Sequence, residues 1–326
     1  MPLSHSVPAG GRRRRLSAIA ALALSATLLA GCSSSAPDST TSGAGGPGAA
    51  PGTDGPAAGR AGWPAKVPTT GLSKGMVLPL EAYMETYPDS VAIEQAVDRL
   101  ETRCMARYGI NYTPAPPGWD PPPNNDDSNM GRRYGLMDRA QAAKLGYDLG
   151  DENRTPPQQP KLSAAAEAVL TGQVSTRPGA AKVAAYHGRA VPAGGCATEA
   201  NGAIGADRID TGLPGRLDAA SLDRSQAEPR VRAAITAWSG CMKADGYTID
   251  NPLNASRLAP DSDGRPAGKA AIAAAVADVD CKAKTGLVAV WFEVESSIQR
   301  QQVADNLAGL REVRDRIDAV VKAAAG

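Results

Sequence analysis

The chain has 326 residues, in which 35 Lys and Arg stand against 34 Asp and Glu. A charge this close to zero gives no electrostatic footprint for nucleic acid and no polybasic patch for anionic lipid. Roughly 255 residues remain after the N-terminal segments, which is enough for one large or two small domains with a hydrophobic core.

Residues 1–31 predict a lipoprotein signal peptide. Four arginines at 12–15 precede an apolar run over residues 16–30, which is shorter than the twenty or so residues of a membrane-spanning helix. The run ends in Leu-Ala-Gly-Cys at 29–32, the small-residue pattern that precedes the lipidated cysteine of bacterial lipoproteins. We therefore expect a diacylglyceryl anchor, with palmitate-type chains, on Cys32 and a location on the extracytoplasmic face of the cell membrane. The arginines are compatible with both Sec and twin-arginine export.

Residues 32–72 predict a disordered tether of Ser, Gly, Pro and Ala. No Leu, Ile, Val, Met, Phe, Tyr or Trp occurs from 33 to 62, so this stretch buries too little apolar surface to offset the entropy cost of ordering. A flexible coil of that length reaches about 30 Å on average. The remaining residues, 73–326, are predicted to form the extracytoplasmic domain.

Helical periodicity dominates this domain. Apolar spacing, capping residues and terminal glycines predict helices over 89–109, 138–146, 163–172, 229–246, 267–284 and 287–325. The last would be nearly 60 Å long if straight, so a bend near Gly309 or a protruding end is expected. Pro-rich runs at 114–123 and 156–160 are interpreted as extended loops, the first pinned by Trp119. The alternative is a peptide ligand for another domain. The predicted fold is a mainly α, disulfide-stapled domain with Pro-rich loops and a long C-terminal helix.

Four cysteines lie in the domain, and in an oxidising compartment an even number predicts disulfides. They are Cys104, Cys196, Cys241 and Cys281, for which three connectivities are possible. If the chain is a duplicated unit, the natural pairs are Cys104–Cys196 and Cys241–Cys281. Adjacent Cys and Met suit Cu(I), but one such pair at each of two helix ends does not form a metal cage. We expect no metal and no cofactor.

A repeated phrase, Cys-Met-x-x-x-Gly-apolar, occurs at 104–110 and at 241–247. It is typical of a helix end in which glycine takes the left-handed conformation and the next residue packs against the methionine. The pair Gly146-Tyr147 is interpreted as a third cap of this kind.

Catalytic motifs are scarce in this sequence. His187 is the single histidine after residue 31, which excludes zinc sites built on two or three histidines. No glycine-rich phosphate-binding loop and no Cys-x-x-Cys motif is present. We interpret His187 as a surface or packing residue, and Gly194-Gly195 as a tight turn that lets a disulfide close at Cys196.

The run 188–200, the two Cys-Met phrases and the segment 280–287 together resemble uncharacterised secreted lipoproteins of actinomycetes, of the streptomycete type. The resemblance covers most of residues 75–326. It implies an extracytoplasmic setting in a Gram-positive cell, and it implies no activity and no site residues.

The function expected from these observations is a non-enzymatic binding or interaction module of the cell envelope. Its expected partners are the membrane, through the anchor on Cys32, and envelope proteins or glycan, but no nucleic acid. An extracellular hydrolase acting on cell-wall glycan or peptide is the first alternative, and two facing carboxylates in a cleft would favour it. A solute-capture lipoprotein of a transporter is the second, and two α/β lobes with a hinge would favour it.

Overall fold

The computed structural model of the protein describes residues 63–119, 129–148, 157–175, 177–259 and 267–326. These residues are mainly helical, as predicted. The α-helices are α1 (Tyr87–Ala106), α2 (Arg139–Leu145), α3 (Ala164–Thr171), α4 (Gly195–Ile204), α5 (Gly212–Ala227), α6 (Pro229–Ala244), α7 (Lys269–Thr285) and α8 (Leu287–Ala324). Short 3₁₀ helices cover Pro79–Tyr83, Ala206–Arg208 and Pro252–Leu258. The strands β1 (Ala185–Tyr186) and β2 (Arg189–Ala190) form an antiparallel hairpin.

None of the helices in the described residues is both long and apolar enough to cross a bilayer. The predicted signal peptide, Cys32 and most of the tether lie outside the described residues.

The two Cys-Met phrases end α1 and α6 as predicted. Ile110 N donates to Met105 O (3.2 Å) and Tyr247 N donates to Met242 O (2.8 Å), while the glycine before each has φ of 70° or 90°. These are the bonds and the left-handed glycine of a Schellman cap, and both methionines are completely buried.

The interpretation of Gly146-Tyr147 as a third such cap is wrong. Gly146 N donates to Ala142 O, which is the bond of a simple helical turn. The ψ of Gly146 is −128°, so the chain leaves α2 in a different direction.

Two of the four hydrophobic clusters among the described residues contain one disulfide each. The larger cluster packs α6, α7 and the first half of α8 around Trp238 and Trp291. The smaller one packs the end of α1 against α3, α4 and the hairpin around Met105 and Val169. The disulfides are Cys104–Cys196 in the smaller cluster and Cys241–Cys281 in the larger, which is the pairing expected for a duplicated unit.

Two boundaries and the interpretation of one loop differ from the sequence predictions. Helix α1 begins at Tyr87 because Thr86 and Asp89 form a capping box, so the start at 89 was too late. Leu72 N donates to Met137 O and Leu72 packs on the larger cluster, so part of the predicted tether belongs to the fold. Trp119 is 38% exposed and does not pin its loop, whereas Pro117 is buried. The segments 120–128 and 149–156 lie outside the described residues.

Helix α8 bends, as its length predicts, but at Asn306 and not at Gly309. Asn306 has φ of −122° and ψ of 17°, and its side chain donates to Gln302 O (2.8 Å). A side chain that bonds the carbonyl four residues back is a known cause of helix bending. Gly309 has a different role, because a Cβ there would lie 2.9 Å from Leu213 of α5. The glycine therefore lets the two helices pack closely.

Candidate functional site

The hairpin turn at His187-Gly188 is the candidate site with the most unusual backbone. Tyr186 pairs with Arg189, which leaves a two-residue turn. His187 has φ of 47° and Gly188 has φ of 78°, and two positive φ values are what a type I′ turn requires. Glycine or asparagine commonly fills such a position, and a histidine there costs about 1 kcal/mol or more. Backbone strain of this kind is often retained for function.

Aromatic rings surround this turn. The His187 ring stacks on Tyr186 with centroids 4.2 Å apart, and Tyr186 meets Tyr108 edge to face with centroids 6.2 Å apart. His187 is exposed, and both tyrosines are half-buried. Together with Arg107 and Arg189, these residues form a continuous exposed area that we call the hairpin surface.

Hydrogen bonds fix the hairpin surface to α1 and α4. Tyr108 Oη donates to Ala190 O (2.6 Å), and Arg189 Nη1 donates to Arg107 O (2.6 Å). Arg107 also forms an ion pair with Glu199 of α4. The side chains of the hairpin surface are therefore already ordered, and little conformational entropy is lost when a partner binds.

The Cys104–Cys196 disulfide lies directly beneath the hairpin surface. Arg107 Nη2 is 3.0 Å from Cys104 Sγ. On the other side of the bond, Gly194 and Gly195 have positive φ, and a Cβ on Gly195 would lie 2.3 Å from Leu170 O. The predicted tight turn is therefore required by close packing of α4 against the end of α3.

A shallow groove of about 700 Å³ lies between the end of α4 and the second half of α8. Its charged residues carry both signs: Arg208, Arg311, Arg316, Glu312 and Asp315. Arg316 is already paired with Glu312 at 3.1 Å. The groove therefore has no dominant charge that would select one class of ligand.

A buried ionic network holds α5 and α8 to the segment before α2. Arg133 bonds Asp218 Oδ2 (2.6 Å) and Glu295 Oε1 (2.5 Å), and Tyr134 Oη donates to Glu295 Oε2 (2.8 Å). Gln299 Nε2 donates to Asp218 Oδ1 (3.1 Å). Burial acts against the charge of Arg133, but its bonds to Glu295 and Asp218 outweigh that effect and raise its pKa. The single guanidinium lies between the two carboxyl groups, and hydrogen bonds within the protein satisfy all three side chains, so the network serves as scaffold.

A second buried ion pair, between Lys282 and Asp278 of α7, is linked to α6 through Trp238. Lys282 Nζ donates to Asp278 Oδ2 (3.1 Å) and to Leu136 O (2.8 Å), and Trp238 Nε1 donates to Asp278 Oδ1 (3.0 Å). Burial lowers the pKa of Lys282 and raises that of Asp278, while their mutual attraction opposes both shifts. The three side chains lock the two helices together.

One face of α1 carries three carboxylates at helical spacing: Glu94, Asp98 and Glu101. Burial, together with the charges of the other two, raises the pKa of Asp98 to about 7. Glu101 accepts a hydrogen bond from Tyr112 (3.3 Å). The three side chains share a face of one helix and do not line a cleft.

The carboxylates described above do not form the facing pair in a cleft that the hydrolase alternative predicts. Asp218 and Glu295 are buried, and both bond Arg133. Glu312 and Asp315 line the groove, but they lie three residues apart on the same helix and not on facing walls. The solute-capture alternative requires α/β lobes, whereas the strands of the described residues form a single short hairpin.

The structure brings the predicted disulfide cysteines together and leaves Cys32 outside the described residues. The sequence marked His187 as a lone histidine but missed Tyr108, Tyr186 and Arg189 as its neighbours. The Tyr-His-Gly-Arg run is visible in the sequence, yet the contact between residues 108 and 186 exists only in the fold. Comparisons with family models, with curated proteins and with solved structures give no match to this chain.

Proposed function

We propose that the protein is a lipid-anchored, non-enzymatic interaction module of the cell envelope, and that it binds its partner through the hairpin surface. The diacylglyceryl group on Cys32 provides the membrane attachment, and the tether holds the domain away from the bilayer. The observation that carries the proposal is the strained His187, which is stacked on Tyr186 and exposed at the tip of a rigid hairpin.

The composition of the hairpin surface supports a protein partner. Tyrosine and arginine are among the residues that contribute most binding energy at protein interfaces. Aromatic side chains give large contact areas at a small entropy cost. The hydrogen bonds and the disulfide beneath hold the rings in place before binding. The entropy cost of ordering these side chains therefore falls on folding and does not weaken binding.

A photo-crosslinking amino acid at position 185, introduced into the full-length protein in the cells that produce it, tests this proposal, because Ala185 is exposed in the same hairpin and its replacement leaves His187 in place. We expect a discrete protein adduct that is lost when Tyr186→Ala or Arg189→Ala is added. The same crosslinker at Lys269, an exposed position on α7, is the matched control and should give no such adduct. Equal labelling from both positions would contradict the proposal. An adduct of glycan would overturn the choice of a protein partner.

Two substitutions at His187 separate binding from folding. His187→Gly and His187→Asn both suit the left-handed turn, so we expect stability to be unchanged or raised by up to about 1 kcal/mol. Both remove the stacked ring, so the crosslinked or co-purified partner should be lost. Turnover of an envelope substrate that disappears in these variants would overturn the non-enzymatic assignment.

A further inference from the structure

The Cys241–Cys281 disulfide, in which Cys241 is half-exposed and Cys281 is buried, has the carboxylate of Asp245 beside one of its sulfurs. Asp245 Oδ2 lies 3.6 Å from Cys281 Sγ. A disulfide sulfur carries no proton, so it cannot donate a hydrogen bond to that carboxylate. Asp245 forms no ion pair with the described residues, and its side chain is exposed. The oxidised state therefore gives no reason for the carboxylate to lie there.

From this contact we propose that the reduced form of the Cys241–Cys281 pair is a zinc site, with Cys241, Cys281 and Asp245 as its ligands. The two sulfurs and a carboxylate oxygen of Asp245 all lie within 4.8 Å of one another. Two thiolates and one carboxylate are ligands that zinc accepts, and a fourth position stays open for water.

The helices place these three ligands without help from the disulfide. Cys241 and Asp245 are four residues apart at the end of α6, so their side chains share one face. Cys281 lies on α7 with its Cα 5.7 Å from that of Cys241. The bond from Trp238 of α6 to Asp278 of α7 holds the two helices together. The ligands consequently remain close together after the disulfide opens.

The reaction that opens the site is a thiol–disulfide exchange with a dithiol reductant. The reductant gives two electrons and two protons, the S–S bond breaks, two thiols form, and the reductant is left as a disulfide. Binding of Zn²⁺ then releases the two thiol protons. Cys241 is half-exposed, so a reductant can reach it, whereas Cys104 and Cys196 are both buried.

The first experiment tests which disulfide opens. The full-length protein is treated with limiting dithiol, alkylated and mapped by mass spectrometry. We expect alkyl groups on Cys241 and Cys281 while Cys104–Cys196 remains oxidised. Preferential alkylation of Cys104 and Cys196, or loss of the helical circular dichroism signal as Cys241–Cys281 opens, would overturn the proposal.

The second experiment tests the metal. The reduced protein is titrated with Co²⁺, whose thiolate complexes absorb in the near ultraviolet, and Zn²⁺ is then used to displace it. We expect one equivalent per chain and at least a tenfold weaker affinity in Asp245→Asn. Glu199→Gln, a carboxylate near the other disulfide, is the control and should bind as the parent does. Absence of stoichiometric binding, or equal affinity in Asp245→Asn, would refute the site.

Discussion

Replacing Arg133 with methionine is expected to lower the free energy of unfolding by about 3–5 kcal/mol at pH 7. The guanidinium bonds Asp218 and Glu295, whose side chains are 12% and 0% exposed. Without it, two carboxylates remain close together in the core with no cation between them. Urea denaturation of the parent and the variant measures this loss, and a loss below about 1 kcal/mol would contradict the scaffold role of the network.

The loss should depend on pH in a defined direction. Burial already raises the pKa of Asp218 in the parent despite Arg133, and removal of the arginine raises it further. A carboxyl group whose pKa is higher in the folded than in the unfolded state stabilises the fold at low pH and loses that contribution as pH rises. The deficit of Arg133→Met should therefore be smaller at pH 4 than at pH 7. Adding Asp218→Asn and Glu295→Gln is the control, which should recover part of the stability and remove the pH dependence.

Removing the Cys104–Cys196 disulfide by paired alanine substitution is expected to cost more than removing Cys241–Cys281. The bonds close loops with sequence separations of 92 and 40 residues. Chain entropy then gives about 4.7 and about 4 kcal/mol as upper estimates. Denaturation of the two double variants under identical oxidising conditions checks the order.

The first of these double variants should also lose the hairpin surface, because the disulfide lies under Arg107 and the start of α4. Crosslinking from position 185 should then decline in this variant and persist in the other. The reverse order of stability, or unchanged crosslinking in both, would contradict the described role of the Cys104–Cys196 bond.

The helices with apolar stripes were predictable, and α5 was not. Three of the four residues that α5 buries are polar, namely Asp218, Ser221 and Ser225, and the fourth is Pro214. These residues recur at helical spacing, but a search for apolar periodicity does not detect them. They can be buried only because other elements satisfy them, as when Trp291 Nε1 donates to Ser225 Oγ (2.8 Å). That complementarity belongs to the tertiary structure.

Polar contacts with α5 also interrupt the apolar stripe of α8, where Gln301 and Gln302 stand between Ile298 and Val303. Gln299 and Gln302 are buried against α5, and Gln302 Nε2 donates to Leu217 O (3.0 Å). Helix α4 was missed for a different reason. It is short, contains two glycines and an asparagine, and begins inside the tight turn predicted at Gly194-Gly195. Residues of weak helix propensity form a helix there because the disulfide and α1 hold them.

The cap phrases were the most informative local signal, because the bonds of a Schellman motif span only six residues. The hairpin surface and the contact of Asp245 with Cys281 could not be predicted from the sequence, because the residues that form them are far apart in the chain. Tyr108 meets Tyr186 across 78 residues of sequence, and Asp245 meets Cys281 across 36. No local rule specifies such pairs.

The central claim is that the protein is anchored to the membrane by its lipid and that both of its disulfides are formed. The intact mass of the protein recovered from the envelope fraction tests this claim most directly. The protein is denatured without reductant, treated with a thiol-alkylating reagent and weighed. The predicted result is a chain that begins at Cys32, carries a diacylglyceryl group and takes up no alkyl group. A chain without lipid, a start at another residue, or uptake of alkyl groups at Cys104 and Cys196 would contradict it.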